Sequence, residues 1–504
     1  MTNVHRMISR SATPAVLIFS LLGFAAMGYH PGAEDDAVYL AAVNARLNPA
    51  LFPHDAPFFQ LQMHASLFDN FMAAFVRATH VPLAWAELLL QILSITLMVW
   101  ASWTIVSRLF KENSARWGGV AIFSAMLTLP VAGTALYIAD QYLHPRNLAT
   151  ALILIAVGRI VAATPWHAVP LLVLACLLHP MMGAYGISFC CILALTLSET
   201  VRRRLANGRP RLTPQPAAVV PTVALVPFAW LLQRPSQSWI DIMSTRHFLW
   251  LYKWTWYEWL GAIGPLLLFW LVARAARLRG DLVLACFATA VLIYGALHQA
   301  IAMIVLAPRS LTALCTLEPM RYLHLVYILM TLIGGAYLGS CVLRAHALRW
   351  FAFLLAAFGG MFFIQQHLFA ATEHIELPSR TSANPWLQAF AWIRTNTPQN
   401  AYFAVDPNYM AIPGEDRHSF RALAERSVLA DNIKDASVLS KAPQLVPVWS
   451  AQVHALSGWN HFQLAGFERL KARFGVTSVL VTNPPPEGLN CPWHNTELAV
   501  CRIP

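Results

Sequence analysis

The acidic run Glu34-Asp35-Asp36 sits just beyond the first apolar stretch of the chain. Carboxylates placed at a membrane surface can do two kinds of chemistry. They can deprotonate an acceptor hydroxyl as a general base. They can also hold Mg2+ or Mn2+ against a diphosphate through oxygen ligands. A purely structural role competes with both, because acids at a helix N-terminus cap amides and complement the dipole. Residues 35–47 have the look of a short amphipathic helix suited to the membrane interface, with Val38, Leu40, Val43 and Leu47 on its apolar side. Pro49, Pro53 and Pro57 then force an extended segment.

Three further segments carry polar chemistry. The stretch DQYLHPRNLA brings Asp140, His144 and Arg146 within seven residues. It offers a second carboxylate, a substrate-binding histidine and a planar fork for a phosphate. Its plain alternative is an Asp140–Arg146 salt bridge. The segment 234–256 holds Asp241, Arg246, His247 and Lys253 among four tryptophans. Such a mixture reads as an interfacial belt, or as an apolar groove in which Lys253 meets a lipid phosphate. The segment 305–321 contains Arg309, Glu318 and Arg321. Both arginines suit a lipid-linked phosphate, while Glu318 can contact substrate or simply pair with Arg321 at i,i+3. His179, before Pro180, is a further substrate-binding candidate, although no HxxxH or HExxH spacing occurs among the histidines.

These residues need positioning by membrane helices. Of 504 residues, 57% are hydrophobic and 12% charged, half the roughly 25% charge of soluble domains. Mean hydropathy is +0.52. Such a composition excludes a soluble enzyme, a disordered chain and a nucleic-acid-binding domain. It specifies a polytopic α-helical membrane protein. Eleven candidate spans have the necessary length: 11–28, 81–106, 117–138, 147–163, 165–178, 181–198, 213–233, 257–273, 281–304, 319–341 and 350–370. The first is read as an uncleaved span rather than a signal peptide. His179-Pro180 breaks the long apolar run 165–198 into two.

The net charge of +11 is not a nucleic-acid footprint. Residues 371–504 hold 11 basic and 11 acidic residues, so residues 1–370 carry the whole excess, 24 against 13. With a cytoplasmic N-terminus, 16 of those basic residues fall in inside segments and eight outside, in keeping with the positive-inside rule. That orientation puts the acids and residues 371–504 on the periplasmic face of a bacterial inner membrane. Six cysteines lie in or beside apolar segments. Cys491 and Cys501 flank a short polar stretch near the C-terminus and can form a disulfide in an oxidising compartment.

Residues 371–504 have the composition of a soluble domain. PWLQAFAWIRTNTP and FERLKARFG read as helices, the second ending at Gly475. AYFAVDP, RSVLAD and TSVLVTN read as short strands. Helices alternating with apolar strands imply a small α/β sheet domain. Neither a GxGxxG nor a P-loop appears. Its charged residues Asp406, Glu415, Asp416, Arg421, Arg426, Asp431 and Lys434 could form a recognition surface, and read more simply as a solvated face.

The chain resembles the GT-C superfamily of membrane glycosyltransferases, in an uncharacterised bacterial branch of the polyprenyl-phosphate-sugar-dependent type. The resemblance rests on Glu34, Asp35 and Asp36 directly after the first span, on Asp140 in the second outer loop, and loosely on Glu318 in CTLEP. It implies sugar transfer from a polyprenyl-phosphate-linked donor to an acceptor at the periplasmic face. Asp35 or Glu34 would act as base. Asp36 and Asp140 would orient substrates or hold Mg2+ or Mn2+. Arg146, Arg309 and Arg321 would neutralise the leaving lipid phosphate. There is no DxD in the second loop and no WWDYG-like motif, which argues against peptide N-glycosylation. A transporter or flippase of a lipid-linked substrate, or a non-catalytic scaffold, remains an alternative. Transport calls for ionisable residues at mid-membrane, where the sequence offers chiefly Glu87 and His298.

Overall fold

The computed structural model describes residues 2–199, 235–306 and 309–504. The chain packs as two compact units. One comprises Met1–Gly23, Ile95–Ala139 and Leu148–Ala357; the other comprises Phe24–Ser94, Asp140–Asn147 and Phe358–Pro504.

The first unit is helical. Among the described residues of the whole chain, six helices are long and apolar enough to cross a membrane: Leu83–Leu109, Pro180–Leu197, Trp256–Leu278, Leu282–Leu306, Leu311–Leu343 and Ala347–Leu368. Each coincides with an expected span. Ala12–Met27 and Pro165–Leu178 are shorter apolar helices. Pro145–Val161 is a helix of 17 residues, and the expected span 213–233 lies outside the described residues. The chain is a multi-pass membrane protein.

One expected span is differently built. Over 117–138 the helix Asn113–Ala125 stops early, and an antiparallel hairpin follows, β1 (Pro130–Val131) with β2 (Leu136–Tyr137). Pro130 has no amide to continue a helix. Gly133 takes φ +62 in the turn, where a Cβ would overlap the Trp254 indole. At His179 the chain is extended (φ −148, ψ 91), between a helix ending at Leu178 and one starting at Pro180. The break expected there is present. Helices Asn113–Ala125 and Leu323–Leu338 pack in close contact because Gly118 faces Gly335 and Gly339; a side chain on Gly118 would strike the Gly335 carbonyl.

The second unit combines three helices of the first polar segment, Asp36–Leu47, Pro57–Ala65 and Phe68–Thr79, with the C-terminal α/β domain. The sheet contains β3 (Tyr402–Ala404), β4 (Ser427–Val428), β5 (Ser478–Thr482), β6 (Asn490–His494) and β7 (Leu498–Arg502), in the order β4-β3-β5-β7-β6. β4, β3 and β5 are parallel, while β7 is antiparallel to β5 and β6. Both faces are covered. Phe403, Leu480 and Val500 meet Trp386, Phe390 and Phe420 on one side. Tyr402, Val479 and Val481 meet Phe467 and Leu470 on the other. A strand buried on both faces is apolar at every position, which is why SVLV lacks alternation. The helix Pro385–Asn396 starts on Asn384, whose side chain accepts from Trp386 and Leu387 amides, and Leu464–Phe474 ends on Gly475 at φ +77. A Cys491–Cys501 disulfide joins β6 to β7.

Candidate functional site

The helix from the first polar segment begins at Asp36, and Leu40 and Val43 are buried on its inner side. It packs on Phe68–Thr79 and on the C-terminal helix Phe420–Ala424. No carboxylate of the acidic run caps its amides. Instead, Asp36 turns back and accepts the Gly32 amide at 2.9 Å, and the two acids before it reach the C-terminal domain.

Lys434 is the centre of that contact. Its ammonium donates to Glu34 Oε2 at 2.5 Å and to Asp35 Oδ1 at 2.9 Å. Arg417 Nη1 takes the other Glu34 oxygen at 2.7 Å. Glu34 holds a left-handed backbone (φ 52), with its amide bonded to the Arg417 carbonyl at 2.9 Å. Left-handed geometry is uncommon for a residue with a side chain and persists where surroundings enforce it.

The segment 140–147 makes its own framework. Arg146 grips Asp140 with two bonds, Nη2–Oδ1 at 2.5 Å and Nε–Oδ2 at 3.2 Å. Asn147 donates to the carbonyls of Asp140 and Tyr142, and its own oxygen accepts the Asp140 amide at 3.1 Å. Gln91 also donates to the Asp140 carbonyl, at 2.7 Å. The His144 Nδ1 accepts the Arg146 amide at 2.9 Å. A neutral His144 therefore carries its proton on Nε2, which lies 3.8 Å from Asp35 Oδ2. The Tyr142 hydroxyl accepts the Asp35 amide at 3.2 Å.

Two adjacent acids thus have opposite electrostatics. Desolvation opposes ionisation of Asp35, but Lys434, His144 and Arg146 outweigh it and hold its carboxyl well below the usual range. Its side chain remains 41% exposed, so it can meet a ligand. Burial, with the charges of Asp35 and Asp140, pushes the Asp36 carboxyl well above its usual range despite the Gly32 amide. Burial thus favours the protonated form of Asp36, whose carboxyl anchors the Gly32 amide.

The structure therefore brings together Glu34, Asp35, Asp36, Asp140, His144 and Arg146 in the second unit. The remaining expected residues belong to the first unit. Glu318, also left-handed at φ 47, pairs with Arg321, and its carbonyl accepts the Tyr185 hydroxyl at 3.3 Å. Lys253 donates to the Ser244 carbonyl. His179 caps the helix Pro180–Leu197 by accepting the Met182 amide at 3.3 Å. The Arg309 side chain lies outside the described residues.

Cationic side chains compete with Mg2+ or Mn2+ for the oxygens of the acid cluster. Such ions need several carboxylate, carbonyl or water oxygens. Here Lys434 takes one oxygen each of Glu34 and Asp35, Arg417 takes the other Glu34 oxygen, and Arg146 takes both Asp140 oxygens. A different trio can hold a metal ion: His30, Glu376 and His418, whose ligand atoms lie within 4.8 Å of one another.

Beside the carboxyl ends of β3 and β4 the C-terminal domain opens a cavity of about 530 Å3. Asp406, Asn408, Asn432, Trp449, Trp459 and His461 line it. The rim of a parallel sheet at the ends of its strands is a common place for ligands.

Residues 384–447 match a domain family of unknown function, DUF6798. No curated protein matches in sequence. Among solved structures, the oligosaccharyltransferase of Archaeoglobus fulgidus in complex with Zn and sulfate is similar at 13% identity and a TM-score of 0.43, over 93% of this chain and 68% of that one. The archaeal oligosaccharyltransferase AglB of the same organism, bound to an inhibitory peptide and a dolichol-phosphate, gives 12%, 0.40, 94% and 70%. The apo form of the first-named oligosaccharyltransferase gives 11%, 0.35, 93% and 69%. At these identities and scores the likeness carries no residue role to this chain.

The residues least visible in the sequence are the cations. Lys434 and Arg421 read as members of a solvated face. In the structure Arg421, Arg426, Asp431 and Glu415 are buried, and the Lys434 side chain is only 12% exposed. Arg421 bonds Asp55 Oδ2 at 2.7 Å and both oxygens of Asp435 at 2.9 and 3.1 Å. That buried triad ties the Pro57–Ala65 approach to the domain and fixes the residue next to Lys434. Asn147 stands within DQYLHPRN, but its clamp on the Asp140 and Tyr142 carbonyls depends on a closed loop.

Proposed function

We propose that this protein is a membrane glycosyltransferase of the GT-C type. It would move a sugar from a polyprenyl-phosphate-linked donor to an acceptor hydroxyl at the periplasmic face of a bacterial inner membrane. The observation that carries the reading is Asp35: a half-exposed carboxylate, kept ionised, facing His144 and framed by Lys434 and Arg146. The disulfide supports an extracytoplasmic C-terminal domain.

In the proposed reaction the acceptor oxygen bonds the sugar C1 as the C1–O bond to the lipid phosphate breaks. The acceptor proton passes to Asp35, and polyprenyl phosphate leaves as the anion. A carboxylate paired with an ammonium is a weak base. Engagement of Lys434 by the donor phosphate would relieve that pairing and raise the basicity of Asp35. Arg146 holds Asp140, and with it the loop that aims His144. Arg309, Arg321 and Lys253 are proposed to meet the lipid phosphate, and Glu318 and His179 to line the substrate path. Lys434 bridges Glu34 and Asp35, and the proposed step is written with the chain's own residues. The cavity beside β3 and β4, with its tryptophans and amides, is the proposed acceptor subsite.

The test uses purified protein in lipid nanodiscs and a panel of radiolabelled polyprenyl-phospho-sugars. Wild type should release sugar from at least one donor without added metal, and Asp35→Asn should not, while melting normally. Donor binding without turnover, unchanged in Asp35→Asn, would shift the reading to a flippase. No donor response at all would leave a scaffold.

A further inference from the structure

We propose that His30, Glu376 and His418 form a zinc site that fastens the chain leaving the first helix to the C-terminal domain. The site shares no residue with the acid cluster and does not depend on the proposed transferase activity.

The three residues come from distant parts of the chain and converge on one carboxylate. His30 Nδ1 lies 2.7 Å from Glu376 Oε1. His418 Nε2 lies 3.0 and 3.1 Å from the two oxygens of Glu376. Both imidazoles are fully buried, and Glu376 is 10% exposed. Two imidazoles and a carboxylate are a donor set for zinc with a fourth position open, and a poor one for Mg2+ or Ca2+.

The ligands are held by backbone rather than by long flexible side chains. Tyr29 bridges to Ile375, its amide bonding the His374 carbonyl at 2.9 Å and its carbonyl taking the Glu376 amide at 3.0 Å. Ala33 bridges to His418, and the Ser419 amide bonds the Gly32 carbonyl at 2.8 Å. Each ligand is therefore within one residue of an isolated β-bridge. The His30 ring also stacks on Phe369, with centroids 3.8 Å apart.

The outer contacts fit a metal ligand. His418 Nδ1 lies 3.1 Å from the Glu415 carbonyl, so Nδ1 carries a proton. In the neutral ring Nε2 then presents a lone pair to the Glu376 carboxylate. Two acceptors facing each other need a cation between them, a proton or a metal. A carbonyl behind a histidine is the usual device for orienting it toward a metal. Zinc–nitrogen bonds of about 2.0–2.1 Å require the trio to open by a small adjustment.

The experiment is metal analysis of the full-length protein in detergent. It is stripped with chelator, reloaded with Zn2+ or Co2+, and freed of excess by gel filtration. Wild type should retain one equivalent of Zn2+, show the visible absorption of tetrahedral Co2+, and gain melting temperature with Zn2+. Asp35→Ala should do the same. His418→Ala should lose both the metal and the shift, and Glu376→Gln, which preserves side-chain volume, guards against simple misfolding. Wild type that retains no metal, or a folded Glu376→Gln that retains as much as wild type, overturns the proposal and leaves a proton-bridged cluster.

Discussion

The two acidic segments of the second unit obtain their countercharges in different ways. The segment 140–147 is self-sufficient: Asp140 is paired by Arg146, six residues away, and clamped by Asn147. The run 34–36 depends on distance. Lys434 is 399 residues from Asp35, and Arg417 is 383 from Glu34. One segment carries its electrostatics with it. The other acquires them only when the C-terminal domain is docked, so its chemistry is conditional on the fold. A carboxylate that waits for its partner is also one that a substrate phosphate can uncouple.

The largest expected effect tests which segment does the chemistry. Asp35→Asn should lower sugar transfer by about 10²–10⁴-fold, the span of a lost general base, with little change in melting temperature. A loss of similar size in Asp140→Asn together with early melting would place Asp140 in the framework instead.

Arg421→Ala should break the conditional segment alone. Removing one partner from a buried ion network costs about 3–5 kcal/mol. Amide exchange should rise around residues 34–36 and 417, while 140–147 stays protected. Equal exposure of both segments would mean that they are one cooperative element.

Asn147→Ala should do the converse. It leaves buried carbonyls without a donor, a cost of about 1–3 kcal/mol, and loosens 140–142 without releasing Lys434. Pulse proteolysis with mass spectrometry distinguishes the two patterns.

The smallest effect is in the pH dependence of stability. The folded pKa of Asp35 is depressed, so its contribution is present above the unfolded value of about 3.9 and is lost as pH falls through the folded value. Burial opposes the charge of Lys434, but Asp35 and Glu34 raise its pKa. Its contribution is therefore complete below the unfolded value of about 10.4 and is lost as pH rises through the folded value. The pair should leave melting temperature flat between about pH 5 and 9. In Lys434→Met the Asp35 pKa should rise, and activity should gain an acid limb that wild type lacks. An unchanged pH–rate profile would show that Lys434 does not control Asp35.

Much of this was legible because it is local. Apolar runs specify membrane helices whatever their neighbours, since a backbone in lipid must satisfy its own hydrogen bonds. Asn384-Pro385 and Gly475 mark helix ends by side-chain and backbone rules that act within one turn. The Glu318–Arg321 and Asp140–Arg146 pairs follow from spacing, and Cys491 could find Cys501 within ten residues. The 117–138 segment misled because its composition is apolar throughout; Pro130 and Gly133 carried the signal for a hairpin inside it.

Composition and local pattern specify the membrane class, most of the helices, the α/β character of the C-terminal domain and the acidic run at 34–36. Folding alone separates an accessible carboxylate held in its charged form, Asp35, from a buried neighbour whose charged form is disfavoured, Asp36. Neighbours Asp35 and Asp36 share a residue type, and only desolvation and the approach of Lys434 distinguish them. Those fields fall off within a few ångströms, and the groups that create them are brought close by folding rather than by order along the chain. The same holds for His30, Glu376 and His418, whose spacing in sequence carries no metal-site signal and whose convergence is set by two β-bridges.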